Sequence, residues 1–160
     1  MTRLWKRAIR LGVMTLGFAG LIVAVNAVPG AATPTSGFSS TVVARGTNMS
    51  PGTLPITQGM DVVVSAITLA PGGTSGWHSH PGGAIAVVQT GDLTLYKSIG
   101  NHCVVTHYPH GTAFIERPGD VVIAVAGSSG ATLGVTFPGV VPLTGSTRID
   151  QDNPGTCPGV

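Results

Sequence analysis

This sequence predicts an all-β fold, a barrel or sandwich of short strands, and three observations predict it. β-Branched and aliphatic runs recur at short spacing beyond residue 60, each closes on a break rich in Gly, Pro, Asp or Ser, and no helical period interrupts them. The first strand is expected at 61–70 (DVVVSAITLA), where alternation ends at the Pro71-Gly72-Gly73 stop. Further strands are expected at 84–90, 93–97, 103–108, 112–117, 121–126 and 131–137. Between them Gly91-Asp92, Pro109-His110-Gly111, Pro118-Gly119-Asp120 and Gly127-Ser128-Ser129-Gly130 combine residues that tolerate turn dihedrals. Strands with one apolar face bury it by closing on themselves or by stacking, which makes this meander a barrel or a sandwich.

Composition sets the outer limits. The 160 residues include 24 Gly and 12 Pro, 42% are hydrophobic and 9% charged, which excludes disorder over the whole length. At 5% aromatic the chain also lacks the residues of a coiled coil or of a stacking surface for single-stranded DNA. Its formal charge of +2 comes from Arg3, Lys6, Arg7 and Arg10; without them four basic residues face six acidic ones, a balance of −2. No basic footprint for nucleic acid then remains.

The basic start precedes LGVMTLGFAGLIVAVNAV at 11–28, an uncharged run with the length of a signal h-region and marginally that of a membrane span. Export is the expectation, with 1–32 as a signal peptide cleaved after Ala27 or Ala32, or as an uncleaved apolar helix that anchors the chain; the membrane is met only there. Residues 33–52 read as a flexible linker rich in Pro, Gly, Ser and Thr, and 53–160 as the folded domain. Cys103 and Cys157 are the only cysteines, and an oxidising compartment lets them pair and pin the Pro-rich tail to the barrel. No CxxC spacing supports a zinc or redox thiol instead.

The chemistry gathers in Pro71-Gly72-Gly73-Thr74-Ser75-Gly76-Trp77-His78-Ser79-His80. Two histidines two apart on an extended chain face the same way and can reach one ion, and imidazole suits Fe, Mn, Zn, Ni and Cu. Two nitrogens hold a metal weakly, so a working site needs further ligands. No Gly-x-Ser-x-Gly elbow, glycosidase-like carboxylate pair or phosphate-binding loop is present.

Gly72, the pair His78 and His80, Ala84 and Gly91 have the spacing of the first motif of the cupin superfamily, and 111–126 resembles the second in its turn layout and its Pro118 and Gly119. The resemblance covers residues 60–138 and implies a single cupin-type β-barrel, a double-stranded β-helix or jelly roll, after the N-terminal apolar helix. The ending Arg148-Ile149-Asp150 to Cys157 is similar to that of small exported single-domain bacterial cupins of the type-2 kind, which supports the Cys103–Cys157 pairing. Metal-binding cupins carry two His and a Glu in the first motif and a third His in the second; here Ala84 stands at the Glu position and Val122 at the third His position. The motif is degenerate. Glu116, His110 or His107 could complete a site of two histidines and a carboxylate, with Gln89 and Asp120 nearby in sequence. Each also reads blandly: His107 and His110 as surface residues, Glu116 as a partner of Arg117, Asp120 as a turn residue, and Trp77 and Phe114 as core.

Three readings stay open. The chain is an exported cupin that binds a small molecule, a divalent metal or both; or a metal-dependent oxygenase or isomerase with His78 and His80 as ligands; or a structural protein of the cell envelope. The resemblance also implies a homodimer.

Overall fold

The computed structural model describes residues 40–54 and 56–160. The N-terminal apolar segment, read as signal, anchor or helix, lies outside them. Among the described residues no helix is long and apolar enough to cross a membrane. The chain runs through β1 (Thr47–Asn48), β2 (Asp61–Leu69), β3 (His78–Ser79), β4 (Ala84–Ile99), β5 (His102–Pro109), β6 (Thr112–Glu116), β7 (Val121–Val140) and β8 (Ile149–Asp150). Among the described residues every regular element is a strand, as expected for the folded domain.

Two long strands, β4 and β7, carry the architecture. They pair antiparallel along nearly their whole lengths; β6 and β5 flank the two halves of β4, while β2 and β3 flank the two halves of β7. The expected break at Gly91-Asp92 is therefore not a chain reversal, and neither is Gly127–Gly130. Gly91 faces Ala131 and Leu93 faces Ala126, so residues 127–130 bulge opposite Asp92 while both strands continue. Gly91 (φ 67°) and Gly130 (φ 74°) bend the strands here, and a Cβ on Gly91 would lie 1.9 Å from the Gly130 carbonyl oxygen. Glycine at this corner permits close backbone approach, which composition alone does not distinguish from a tight turn.

A second correction concerns the segment read as linker. Thr47–Asn48 pairs parallel with β6, and Ser50 Oγ takes a 3.1 Å hydrogen bond from the Ile115 amide and meets Tyr108 Oη at 3.2 Å. Folded structure therefore begins before residue 53.

Alternation along β4 and β7 divides the apolar residues between two cores. Ala84, Ala86, Val88, Leu93 and Leu95 face Val122, Ala124, Ala126, Leu133, Val135 and Phe137 inside the barrel, with Phe114 from β6. Full burial of a side chain such as Phe114 contributes roughly 1.5–3 kcal/mol. On the outer face Ile123 packs with Trp77 and Cys157, and the Cys103–Cys157 disulfide holds the C-terminal tail over them.

Candidate metal centre

β3 is two residues long and lies between β7 and β8, with His78 opposite both Val122 and Asp150. Period-two alternation sends His78 and His80 into the barrel and Trp77 and Ser79 to the tail side, where Gln151 Nε2 donates to Ser79 Oγ at 3.0 Å. The two imidazole rings meet edge to face, 4.8 Å between centroids.

The carboxylate comes from the neighbouring strand. On β6, Thr112, Phe114 and Glu116 share a face, and Phe114 fixes that face as the inner one. Glu116 stands directly across the ladder from Ala84, the position at which the first cupin motif would carry its Glu. Its Oε2 lies 2.9 Å from His80 Nε2. One ligand atom from each of His78, His80 and Glu116 falls within 4.8 Å of the others, and all three residues are buried. Val122, at the third His position, is fully buried opposite His78 and offers no ligand atom.

Both ring orientations are fixed from behind. His78 Nδ1 donates to the Gly76 carbonyl at 2.9 Å and His80 Nδ1 to the Thr147 carbonyl at 2.6 Å. A protonated Nδ1 leaves Nε2 as the ligand atom, the usual arrangement for histidines that hold a metal. Burial, outweighing the Gly76 bond and the Glu116 charge, holds the His78 pKa below its ordinary value. Burial also pulls on His80, but its bonds to Glu116 and Thr147 prevail and raise its pKa. With no ion bound, the raised pKa favours the imidazolium form of His80, which donates from both nitrogens, to the Thr147 carbonyl and to Glu116.

These residues fit a divalent ion. Metal–ligand bonds of about 2.0–2.2 Å place neighbouring ligand atoms on a shared ion about 3–3.6 Å apart, so a cluster whose ligand atoms lie within 4.8 Å of one another has to close by about 1–2 Å at its widest pair. Two imidazoles and one carboxylate are borderline donors, matching Fe, Mn or Zn and leaving coordination positions open. His78, His80 and Glu116 all line a cavity of about 430 Å³, walled by Phe114, Leu133, Val135 and Phe137 and rimmed by Thr147 and Arg148.

The other candidates lie elsewhere. His107 is exposed and sits 3.8 Å from Asp92, and His110 is exposed in the turn after β5, so neither joins the cluster. Gln89 donates to the Val43 carbonyl and Asp120 pairs with Lys97. Glu116 does not pair with Arg117, which donates to the Pro51 carbonyl instead. Phe114 is core and cavity wall at once. Sequence reasoning passed over Thr147, because a backbone carbonyl carries no residue signature, and Arg148, which lay in a tail read only for its cysteine.

No protein-family model matches the chain, and no curated protein does. Among solved structures, oxalate decarboxylase from Bacillus subtilis superposes with a TM-score of 0.51 at 14% identity, over 57% of this chain and 24% of that one. Oxalate oxidase gives a TM-score of 0.46 at 24% identity, over 64% and 59% of the two chains. Peruvianin-I from Thevetia peruviana latex, described as a cysteine peptidase, gives 0.46 at 20% identity, over 54% and 55%. The chain thus spans about a quarter of the decarboxylase it matches. The decarboxylase likeness shows the fold, a cupin barrel. Fold and site together define a class: a cupin-type β-barrel with a buried cluster of two histidines and one glutamate beside an apolar cavity.

Proposed function

We propose that this chain is a metal-binding cupin that holds one divalent ion on His78, His80 and Glu116 and binds a small molecule in the adjoining cavity. The convergence of these three buried side chains carries the reading, with each Nδ1 committed to a carbonyl and each Nε2 turned inward. An ion bound there supplies Lewis-acid polarisation and, if iron or manganese, a redox centre. Glu116 balances charge and takes the place of the carboxylate missing at Ala84. The Phe114 and Phe137 rings exclude water from one side of the cluster, and Phe137 packs 4.9 Å from the His80 ring. Mn(II) centres are described for Bacillus subtilis oxalate decarboxylase, which makes manganese the first ion to test.

The experiment is elemental analysis of the full chain, purified without a polyhistidine tag and incubated with Fe, Mn, Ni, Cu or Zn. One ion per chain, lost in the His78→Ala/His80→Ala double variant, is expected; no bound metal under any condition overturns the reading. A second reading, catalysis of the oxygenase or isomerase type, is favoured by the cavity that His78, His80 and Glu116 line. Export through the N-terminal segment and a homodimer are proposed alongside. The disulfide supports the first. For the second, exposed Val62 and Val64 lie on β2, which pairs with β7 alone among the described strands. N-terminal sequencing of the secreted chain and light scattering are the respective checks.

A further inference from the structure

The cavity beside the cluster is apolar over most of its wall, and Arg148 is the one Lys or Arg among the described residues that lines it. The guanidinium is fixed at the rim: Nε donates to Asp150 Oδ1 at 2.7 Å and Nη2 to the Ser75 carbonyl at 2.8 Å. Those bonds use two of its five N–H donors. Nη1, with both its N–H groups, and the second N–H of Nη2 have no protein partner among the described residues. Asp150, the counter-charge, is exposed and does not line the cavity. A planar fork held by two bonds, with donors to spare at the edge of a cavity, is the arrangement that recognises a carboxylate in bidentate fashion.

Charge and surface narrow the ligand further. With a divalent ion on the cluster, Glu116 is the only acidic side chain lining the cavity, so ion and carboxylate together leave a single positive charge, and Arg148 presents a second whose counter-charge, Asp150, lies outside the cavity in solvent. An anion is therefore attracted. Away from Arg148 and the cluster the wall is mostly hydrocarbon, with Leu133, Val135 and the rings of Phe114 and Phe137, and its other polar side chains, Ser65, Ser75 and Thr147, are uncharged, so a second charged group would be desolvated without a charged partner. We propose that the cavity takes a small monocarboxylate with an apolar body, its carboxylate held by Arg148 and its body against this wall. The proposal names the ligand class for the metal-binding reading and rests on it.

Benzoate, its neutral analogue benzamide, and malonate are the probes, titrated into the Mn2+-loaded full chain and into Arg148→Gln and Arg148→Lys variants. Mn2+ uptake is measured on each protein first, beside a far-UV circular dichroism spectrum that shows each variant has folded. Benzoate is expected to bind more tightly than benzamide or malonate. Its affinity should fall about tenfold or more in Arg148→Gln, the loss expected for a charge-assisted hydrogen bond, and partly return in Arg148→Lys. Benzamide affinity should not respond to either substitution. A chain that takes up Mn2+ but prefers malonate, treats benzoate and benzamide alike, or binds benzoate equally in Arg148→Gln overturns the proposal. Arg148-dependent benzoate binding by a chain that takes up none of Fe, Mn, Ni, Cu or Zn overturns the metal reading and leaves the carboxylate subsite standing.

Discussion

Glu116 supplies from one strand what a cupin motif would supply from the next. Because Glu116 and Ala84 are direct partners across the β4–β6 ladder, moving the carboxylate between them keeps it on the same inner face. Returning it should therefore be tolerated: Ala84→Glu in a Glu116→Gln background is expected to recover part of the Mn2+ affinity lost in Glu116→Gln alone, measured by calorimetric titration. The same residue sets a pH signature. The folded pKa of His80 lies above its unfolded value, near 6.5, so the His80–Glu116 pair stabilises the metal-free protein fully below about pH 6.5. That stability is lost as pH rises through the folded pKa. Metal uptake runs the other way, because the ion displaces the His80 proton, and affinity should climb over the same interval. Denaturant melts and Mn2+ titrations at several pH values check both, and Glu116→Gln should flatten the stability trend. His78, whose folded pKa is lowered, opposes it: its contribution is present above the unfolded value and lost as pH falls. The histidine pair was legible in the sequence, since a period of two puts both rings on one face. Glu116 was one candidate among several, because its side of β6 depends on reading Phe114 as inward, and adjacent Arg117 offered a plausible surface partner.

The elements β3 and β8 join the tail to the site. β8 pairs with β3, Thr147 just before it orients His80, and Gln151 donates its amide to the Trp77 carbonyl at 3.0 Å. The Cys103–Cys157 disulfide, spanning a sequence separation of 54, ties this strap down. A loop of that length corresponds to roughly 4 kcal/mol of chain-entropy stabilisation. Cys103→Ser/Cys157→Ser should lose stability on that scale and weaken Mn2+ binding by about 10–100-fold, the usual cost of losing a partner behind a ligand. Unchanged metal affinity in the double variant would separate the strap from the site. The pairing of the cysteines was legible from their number and from the expectation of export, whereas the strand lengths were not. Gly91 and Gly127–Gly130 carry turn residues, but a bulged corner and a reversal draw on the same conformational freedom, so seven short strands were expected where β4 and β7 run through. Gly91→Ala should then cost at least ~2 kcal/mol in a urea melt, since its backbone is left-handed and its Cβ would overlap Gly130.

At the scale of the whole molecule, the barrel brings together groups that the chain separates widely, with His78 and His80 before β4, Glu116 at the end of β6 and Thr147 in the tail. The all-β class was legible because alternation and turn chemistry are local. The completed cluster was not, because it depends on which strands become neighbours, and β6 lies against β4 only through the ladder that pairs Ala84 with Glu116. In the proposed reading the barrel interior is both core and binding chamber, and the buried charge it contains belongs to an ion site rather than to packing. The most direct measurement is calorimetric titration of Mn2+ into the full chain and into Glu116→Gln. One ion per chain, with affinity falling by more than about 100-fold in the variant, a loss beyond that of a partner behind a ligand, is the result this structure predicts. Equal affinity in the two proteins, or no uptake of Mn2+ or of Fe, Ni, Cu or Zn by either, would contradict it.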